Sequence, residues 1–116
     1  MVEKLMDEAF RLYEEAEMKV DSEPSKSIIL FRQAVSNLLN AYLIIKGLGE
    51  EGDLAELFRE CREIDSEFEI IQSEIEYLVD VAPQEVEGEE LTDKANEIWD
   101  FIQGVLMENE FEMDNN

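Results

Sequence analysis

Residues 25–49 read SKSIILFRQAVSNLLNAYLIIKGLG, and no aspartate or glutamate occurs between Pro24 and Gly49. The whole chain of 116 residues carries 31 acids against nine lysines and arginines. A long segment without acids in so acidic a protein indicates little contact with water, because a carboxylate buried without a partner is costly. We therefore expect a central helix here, wrapped by other helices. Asp21, Ser22 and Pro24 predict its start, and Lys46 followed by Gly47 predicts its end.

This helix has two different faces when its residues are projected at about 100° each. One half predicts a core face and comprises Leu30, Phe31, Ala34, Val35, Leu38, Leu39, Ala41, Tyr42 and Ile45. The other half carries the polar residues Arg32, Gln33, Ser36, Asn37 and Asn40, with Ile29, Leu43 and Ile44 among them. Because it lacks the glutamates of the other helices, we expect this polar face to be covered as well. Either neighbouring helices or a second copy of the chain, pairing Asn and Gln across a two-fold axis, could cover it.

Apolar residues at steps of three and four predict further amphipathic helices on both sides of the central one. Residues 2–20 carry one such stripe: Val2, Leu5, Met6, Ala9, Leu12, Tyr13, Ala16 and Val20. A third helix from Asp53 turns inward Leu54, Leu57, Phe58, Cys61 and Ile64. After a phase shift near Asp65 and Ser66, the inward residues are Phe68, Ile71, Ile75 and Leu78. Whether residues 53–80 form one kinked helix or two stays open.

The last predicted helix follows a loop over residues 82–90, APQEVEGEE. Thr92 is the expected N-cap, with Leu91 before it, and the buried residues are Ala95, Ile98, Trp99, Ile102, Val105 and Leu106. The polar tail, residues 109–116, is expected to fray. The pattern predicts an all-α fold, an antiparallel up-and-down bundle of four or five helices in one domain, residues 1–108.

The net charge of -22 restricts the partners of the protein. Nucleic-acid binding and binding to an anionic membrane are disfavoured, because such a surface repels phosphates. The N-terminal residues carry acids where a signal peptide needs an apolar run, and the longest apolar runs are too short to span a bilayer. With a single cysteine, Cys61, no internal disulfide can form. We expect a cytoplasmic protein.

No constellation of catalytic residues stands out, and we expect no enzyme activity, cofactor or metal. The sequence has no histidine, the commonest general base and metal ligand near neutral pH. Cys61 lies in an apolar stripe, which predicts a core residue rather than a nucleophile. Glu56, Glu60 and Glu63 share one helix face, but glutamates occupy every outward face, so we interpret them as solvated. The segment GLGEEGD, residues 47–53, lacks the Lys-Ser/Thr of a phosphate loop and predicts a helix cap and turn.

Arg32 is the only charged residue on the polar face of the central helix. A guanidinium on a covered face needs a partner. We expect an ion pair with a glutamate of the first or third helix, and a contact with a ligand or partner is the alternative.

The run LFRQAVSNLLNAYLIIKGLG, residues 30–49, followed by GDLAELFRECREIDSEFE, residues 52–69, resembles the HEPN domains of bacteria and archaea. The resemblance covers most of residues 5–108 and implies an up-and-down helical bundle that commonly dimerises, and that often works beside a minimal nucleotidyltransferase in a toxin and antitoxin pair. Active members of that family carry an arginine followed by a histidine for RNA cleavage, and this chain has no histidine. The family's H-D-L reads Gly52, Asp53, Leu54 here, and its R-Y-P reads Val81, Ala82, Pro83. We carry over no catalytic residue.

Two functional hypotheses remain. The first is a non-catalytic HEPN-like binding or regulatory module that forms homodimers through helix two, with a nucleotidyltransferase-type protein as a possible partner. Its interface residues are Arg32, Gln33, Ser36, Asn37 and Asn40. The second is an acidic protein that masks a basic, nucleic-acid-binding partner through its charge. A carboxylate enzyme with a bound metal is a distant third.

Overall fold

The computed structural model describes residues 2–48 and 52–114 of the chain. Within them every regular element is helical: five α-helices and two short 3-10 helices, with no strand. The first helix, α1, spans Val2–Lys19, and α2 spans Pro24–Ile45. The predicted all-α fold is confirmed.

The first two helices form an antiparallel hairpin. The hydroxyl of Ser27 donates to the carbonyl oxygen of Ala16 over 2.7 Å near the turn. Further from the turn, the ring of Tyr13 contacts that of Phe31 edge to face, with centroids 5.1 Å apart. Residues further from the shared turn on α1 contact residues further from it on α2, which indicates antiparallel packing. The apolar stripe of α1 supplies its buried residues, Ala9, Leu12, Tyr13 and Ala16, as predicted.

The central helix begins and ends almost where the sequence predicts. Pro24 is its first residue, but the N-cap is Glu23, without a side-chain cap, rather than Asp21 or Ser22. After Ile45 the chain turns at Gly47, whose φ of +85° suits a residue without a Cβ. The amides of Gly47 and Leu48 donate to carbonyls of the last turn over 2.9 Å and 2.8 Å, which is a Schellman C-cap.

The region from 53 to 80 contains two α-helices, so the open question is settled. Helix α3 spans Leu54–Ile64, and the side chain of Asp53 caps it by accepting from the amide of Glu56. A 3-10 helix, Ser66–Ile71, starts where the sequence phase shifts and leads into α4, Gln72–Asp80. The predicted inward residues of the region are buried except Ile64, which is exposed. The end of α3 therefore leaves the core one turn earlier than the stripe predicts.

The last helix starts earlier than the sequence predicts. A short 3-10 helix, Pro83–Glu85, precedes α5, which spans Gly88–Asp114. Thr92 is thus not an N-cap: it lies in the first turns of α5, and its hydroxyl donates to the carbonyl of Gly88 over 2.8 Å. Leu91, expected outside the helix, is fully buried within it. The predicted fraying of residues 109–116 falls outside the described side chains and stays a prediction.

The core surrounds α2, which packs against all four other α-helices. Its largest buried side chains are Tyr42, Phe31, Ile28, Leu38, Leu39 and Leu43. An aromatic cluster continues the core towards α5, where Trp99 stacks on Tyr13 at 4.2 Å and Phe101 meets Phe68 at 5.3 Å between ring centroids. The expectation that α2 is the central helix is confirmed for its apolar face, which is buried against the other helices.

By length and mean hydropathy α2 would also pass as a membrane span, alone among the helices of the described residues. The expectation from the sequence that no segment is long enough to span a bilayer considered only unbroken apolar runs. Half of the relevant window is buried inside the protein, and a central core helix passes the same test.

Candidate functional site

The polar face of α2 forms one wall of an open groove. The groove has a volume of about 470 Å³. Its lining comprises Arg32, Gln33, Ser36 and Asn37 from α2, Asp53, Leu54 and Ala55 at the start of α3, and Val79 from α4. Four of the five predicted interface residues therefore lie together at one site. We call this site the α2 groove.

The chain itself covers the polar face of α2 only in part. Gln33 is exposed, and Arg32, Ser36 and Asn37 are half-buried along the groove. In the groove the apolar side chain of Val79 is exposed to 37% of its surface, and on the same face of α2, outside the groove lining, Ile29 is exposed to 46%. The groove therefore presents amide, hydroxyl and apolar groups to the outside, which is the mixture that protein interfaces use.

Asn40, the fifth predicted interface residue, does not line the groove. It is half-buried, and its Oδ1 atom is buried without a hydrogen-bond partner among the described residues. An amide oxygen in that position retains an unused acceptor.

Arg32 binds the end of α4 rather than a carboxylate. Its Nε donates to the carbonyl oxygen of Leu78 over 2.5 Å, and its Nη2 donates to that of Val81 over 2.7 Å. The last carbonyls of a helix have no partner within the helix and carry partial negative charge, so a guanidinium suits them. The predicted ion pair with a glutamate of α1 or α3 is wrong, because these carbonyls supply the negative partner.

A second, smaller cavity of about 270 Å³ adjoins the α2 groove between α3 and α4. Ala55 and Val79 line both cavities and form the ridge between them. The polar lining of the smaller cavity comprises Arg59, Arg62, Gln72, Glu76 and Asp80. The Nη1 of Arg62 donates to the Oε1 of Gln72 over 3.0 Å, and the Nε2 of Gln72 donates to the Oε1 of Glu76 over 3.1 Å. We call it the α3–α4 cavity.

The two cavities collect three of the four arginines of the chain, Arg32, Arg59 and Arg62. None of the three forms an ion pair within 4.0 Å among the described residues, where all ion pairs involve Arg11, Lys19 or Lys26. Three acids, Asp53, Glu76 and Asp80, share the same lining. This surface is therefore close to neutral, although the protein carries a charge of -22.

Cys61 is a core residue, as predicted. Its side chain is fully buried, and its Sγ donates a long hydrogen bond of 3.7 Å to the carbonyl of Leu39. Burial, and secondarily the charge of Glu60, raises the pKa of the thiol from 9.0 to about 12. A thiol that stays protonated at neutral pH is a poor nucleophile.

The other candidate sites gain no support as metal or phosphate sites. In the described part of the chain no group of three or more cysteines and carboxylates could hold a metal ion. Glu56 and Glu63 are exposed and Glu60 is half-buried on α3. Gly47 belongs to the cap of α2, while residues 49–51 of the glycine-containing segment lie outside the described residues.

The sequence predicts the α2 wall of the site but not the walls from α3 and α4. Arg59 and Arg62 stand out beside Cys61 in the sequence, yet nothing there places them next to Val79 or Asp80. The signal that marks them in the sequence is the shortage of basic residues: the chain has four arginines, and two of them, Arg59 and Arg62, lie three residues apart.

Comparison with known proteins identifies no relative: no family model, curated protein or solved structure matches this chain.

Proposed function

We propose that this protein is a non-catalytic helical binding or regulatory module, HEPN-like in its up-and-down arrangement, that self-associates through the α2 groove. The observation that carries the proposal is the convergence of Arg32, Gln33, Ser36 and Asn37 on one open groove, on a helix whose other side is the core. A face without acids, half-open to solvent in an acidic protein, is suited to contact with another protein surface.

Electrostatics favours association of two copies through this face over association through most other faces of the protein. Two bodies with a charge of -22 repel each other, and the repulsion is felt within a screening length of about 8 Å at physiological salt. Close contact is least unfavourable where neither copy presents uncompensated carboxylates. In the described residues the groove lining holds one carboxylate, that of Asp53, and one arginine, Arg32, so two copies meet there at a lower electrostatic cost than on a face crowded with glutamates.

The proposal assigns no catalytic step to the chain. The sequence has no histidine, and the one thiol is buried and protonated. The resemblance to HEPN domains supports a role beside a partner protein, and a nucleotidyltransferase-type partner is the one it suggests. A cytoplasmic location accords with the lone, buried cysteine.

The experiment compares the oligomeric state of the native protein with that of a groove variant. Ser36→Glu places a carboxylate in the groove, and we expect it to convert a dimer into a monomer in light scattering. Met18→Glu adds the same charge on α1, where Met18 is 83% exposed, and should leave the dimer intact. A native protein that stays monomeric, or a dimer that tolerates Ser36→Glu as well as Met18→Glu, would overturn the proposal.

A second candidate function rests on the acidic outer surface of α5. Glu87, Glu89, Glu90, Asp93 and Glu97 surround a shallow depression of about 310 Å³ with Lys94. We propose as the alternative that this surface masks a basic partner by charge attraction, which predicts fast, salt-sensitive association. Elution of captured basic proteins by about 0.5 M salt would favour it, whereas a partner retained at that salt favours the module.

A further inference from the structure

The α2 groove and the α3–α4 cavity form one continuous surface, because Ala55 and Val79 line both. The larger end holds Arg32 and Asp53, and the smaller end holds Arg59 and Arg62 with Glu76 and Asp80. Each end of the surface therefore carries both signs of charge. A half-turn about the middle of this surface would place each end opposite the other, so that acids of one copy can meet arginines of its partner.

The arginines of this surface differ from the one that lies elsewhere. Arg11, on α1, approaches two carboxylates of its own helix, Glu8 at 3.3 Å and Glu15 at 3.9 Å. The three arginines at the two cavities form no such pair in the described residues, although acids line the same cavities. Arg59 is exposed, and Arg62 uses a neutral amide. Arg32 is held by the carbonyls of Leu78 and Val81, whereas the guanidinium groups of Arg59 and Arg62 remain available to carboxylates from outside the protomer.

We infer that a second copy of this chain docks over both cavities, about a two-fold axis that passes near the ridge of Ala55 and Val79, so that Asp53 of each copy faces Arg59 of the other. The inference rests on the proposed self-association and deepens it. It extends the contact from α2 to α3 and α4, and it names the charge pair that fixes the register of the two copies.

Other occupants fit this surface less well. A small anion or an acidic peptide would meet Asp53, Glu76 and Asp80 within the lining and the strong negative charge of the whole protein. Three arginines would repel a basic partner here, whereas the surrounding acidic surface would attract it without such repulsion. A second copy brings three arginines and three acids of its own, so that each acid can meet an arginine across the contact.

A double-mutant cycle on the full chain tests the pairing, with the dimer dissociation constant measured by sedimentation. Arg59→Glu should weaken the dimer by more than about tenfold, because it sets a carboxylate opposite Asp53. Asp53→Ser removes that acid but keeps a side chain that caps α3, and should weaken the dimer by about two- to fivefold. The double variant should return to within about twofold of Asp53→Ser, because the repulsion is gone.

The matched control is Arg11→Glu, which changes the net charge by the same amount as Arg59→Glu. Arg11 lies on α1 and lines neither cavity. Arg11→Glu should alter the dissociation constant by less than about twofold. Circular dichroism of each variant checks that it is folded.

The outcomes separate this inference from the proposed function. If Arg59→Glu behaves like Arg11→Glu, or if Asp53→Ser gives Arg59→Glu no relief, the pairing is wrong, while Ser36→Glu still reports on the α2 groove. If the native chain is monomeric, both the proposed self-association and the pairing of Asp53 with Arg59 fail. A different protein would then be the occupant of the α2 groove. Relief in the double variant together with an inert Arg11→Glu supports the inference.

Discussion

Arg32, on α2, hydrogen-bonds the C-terminal end of α4: its Nε donates to the carbonyl oxygen of Leu78 over 2.5 Å. Its Nη2 reaches the carbonyl of Val81, one residue beyond the helix, at 2.7 Å. These bonds join α2 to the end of α4 across 46 and 49 residues of sequence. They hold two walls of the α2 groove against each other. The same side chain therefore contributes both to the fold and to the geometry of the candidate site.

Removing the guanidinium should destabilise the protein. Each charge-assisted hydrogen bond contributes about 1.5–3 kcal/mol, and the half-buried carbonyls of Leu78 and Val81 would lose their partner. We expect Arg32→Met to lower the free energy of unfolding by about 2–3 kcal/mol, measured with urea at a fixed low protein concentration. Arg32→Lys should lose less, because an ammonium still reaches one carbonyl.

Arg11→Met is the control for that experiment. Arg11 is 64% exposed and forms only surface ion pairs, so its loss should cost less than about 1 kcal/mol. Equal losses for the two methionine variants would contradict the role given to Arg32.

Two glycines of α5 should respond in opposite directions to alanine. A Cβ at Gly88 would lie 2.9 Å from the carbonyl oxygen of Val20, so the start of α5 would have to move away from the α1–α2 turn. A Cβ at Gly104 would meet nothing within 4 Å. We expect Gly104→Ala to raise the free energy of unfolding by about 0.5–1 kcal/mol through helix propensity, and Gly88→Ala to lower it. Stabilisation by both variants would contradict the close approach at Gly88.

Alkaline pH should unfold the protein through buried neutral groups. Burial, and next the charge of Asp65, raises the pKa of Tyr42 from 10.0 to about 12, and the pKa of Cys61 rises from 9.0 to about 12. Because the folded state holds these protons more tightly, their contribution is complete below about pH 9 and is lost as pH rises towards 12.

Circular dichroism and tyrosinate absorbance measured together check this prediction. The two signals should change together, since Tyr42 ionises as the protein unfolds. Tyr42→Phe removes one of the titrating groups and should reduce the loss of stability per pH unit above pH 10. Tyrosinate formation by every tyrosine in a protein that stays folded would contradict it.

Added salt should raise the melting temperature. The charge of -22 on a chain of 116 residues makes self-repulsion a cost of folding, and salt screens it. We expect a steady rise in Tm between about 50 mM and 1 M sodium chloride. Replacing Glu14, Glu17 and Glu97, which are exposed and lie beyond the first turns of their helices, by glutamine should raise Tm at low salt and flatten this dependence. An equal slope for native and variant proteins would contradict the explanation.

The sequence predicts α2 well because several local signals agree there. Pro24 at the start, Gly47 at the end and an acid-free pattern between them specify a buried helix without reference to other elements. The start of α3 at Asp53 is predicted for the same reason, because its carboxylate caps the helix through an amide only three residues away.

Tertiary contacts explain where sequence reasoning fails. Thr92 has the local pattern of an N-cap, but α5 begins at Gly88, whose backbone approaches the carbonyl oxygen of Val20 closely in the finished fold. The partner of Arg32 is main chain, and sequence does not show which carbonyls a helix end leaves unpaired. The α3 and α4 walls of the groove depend on how the 3-10 helix Ser66–Ile71 redirects the chain, which no periodicity encodes.

The most direct test of self-association through the acid-free helix is the mass of the native protein in solution. Sedimentation equilibrium at moderate salt should give twice the chain mass of 13.5 kDa, and Ser36→Glu should return it to a single chain. A mass of one chain for the native protein at every concentration up to about 100 μM would contradict it, because a dimer weaker than that corresponds to less than about 5.5 kcal/mol of binding.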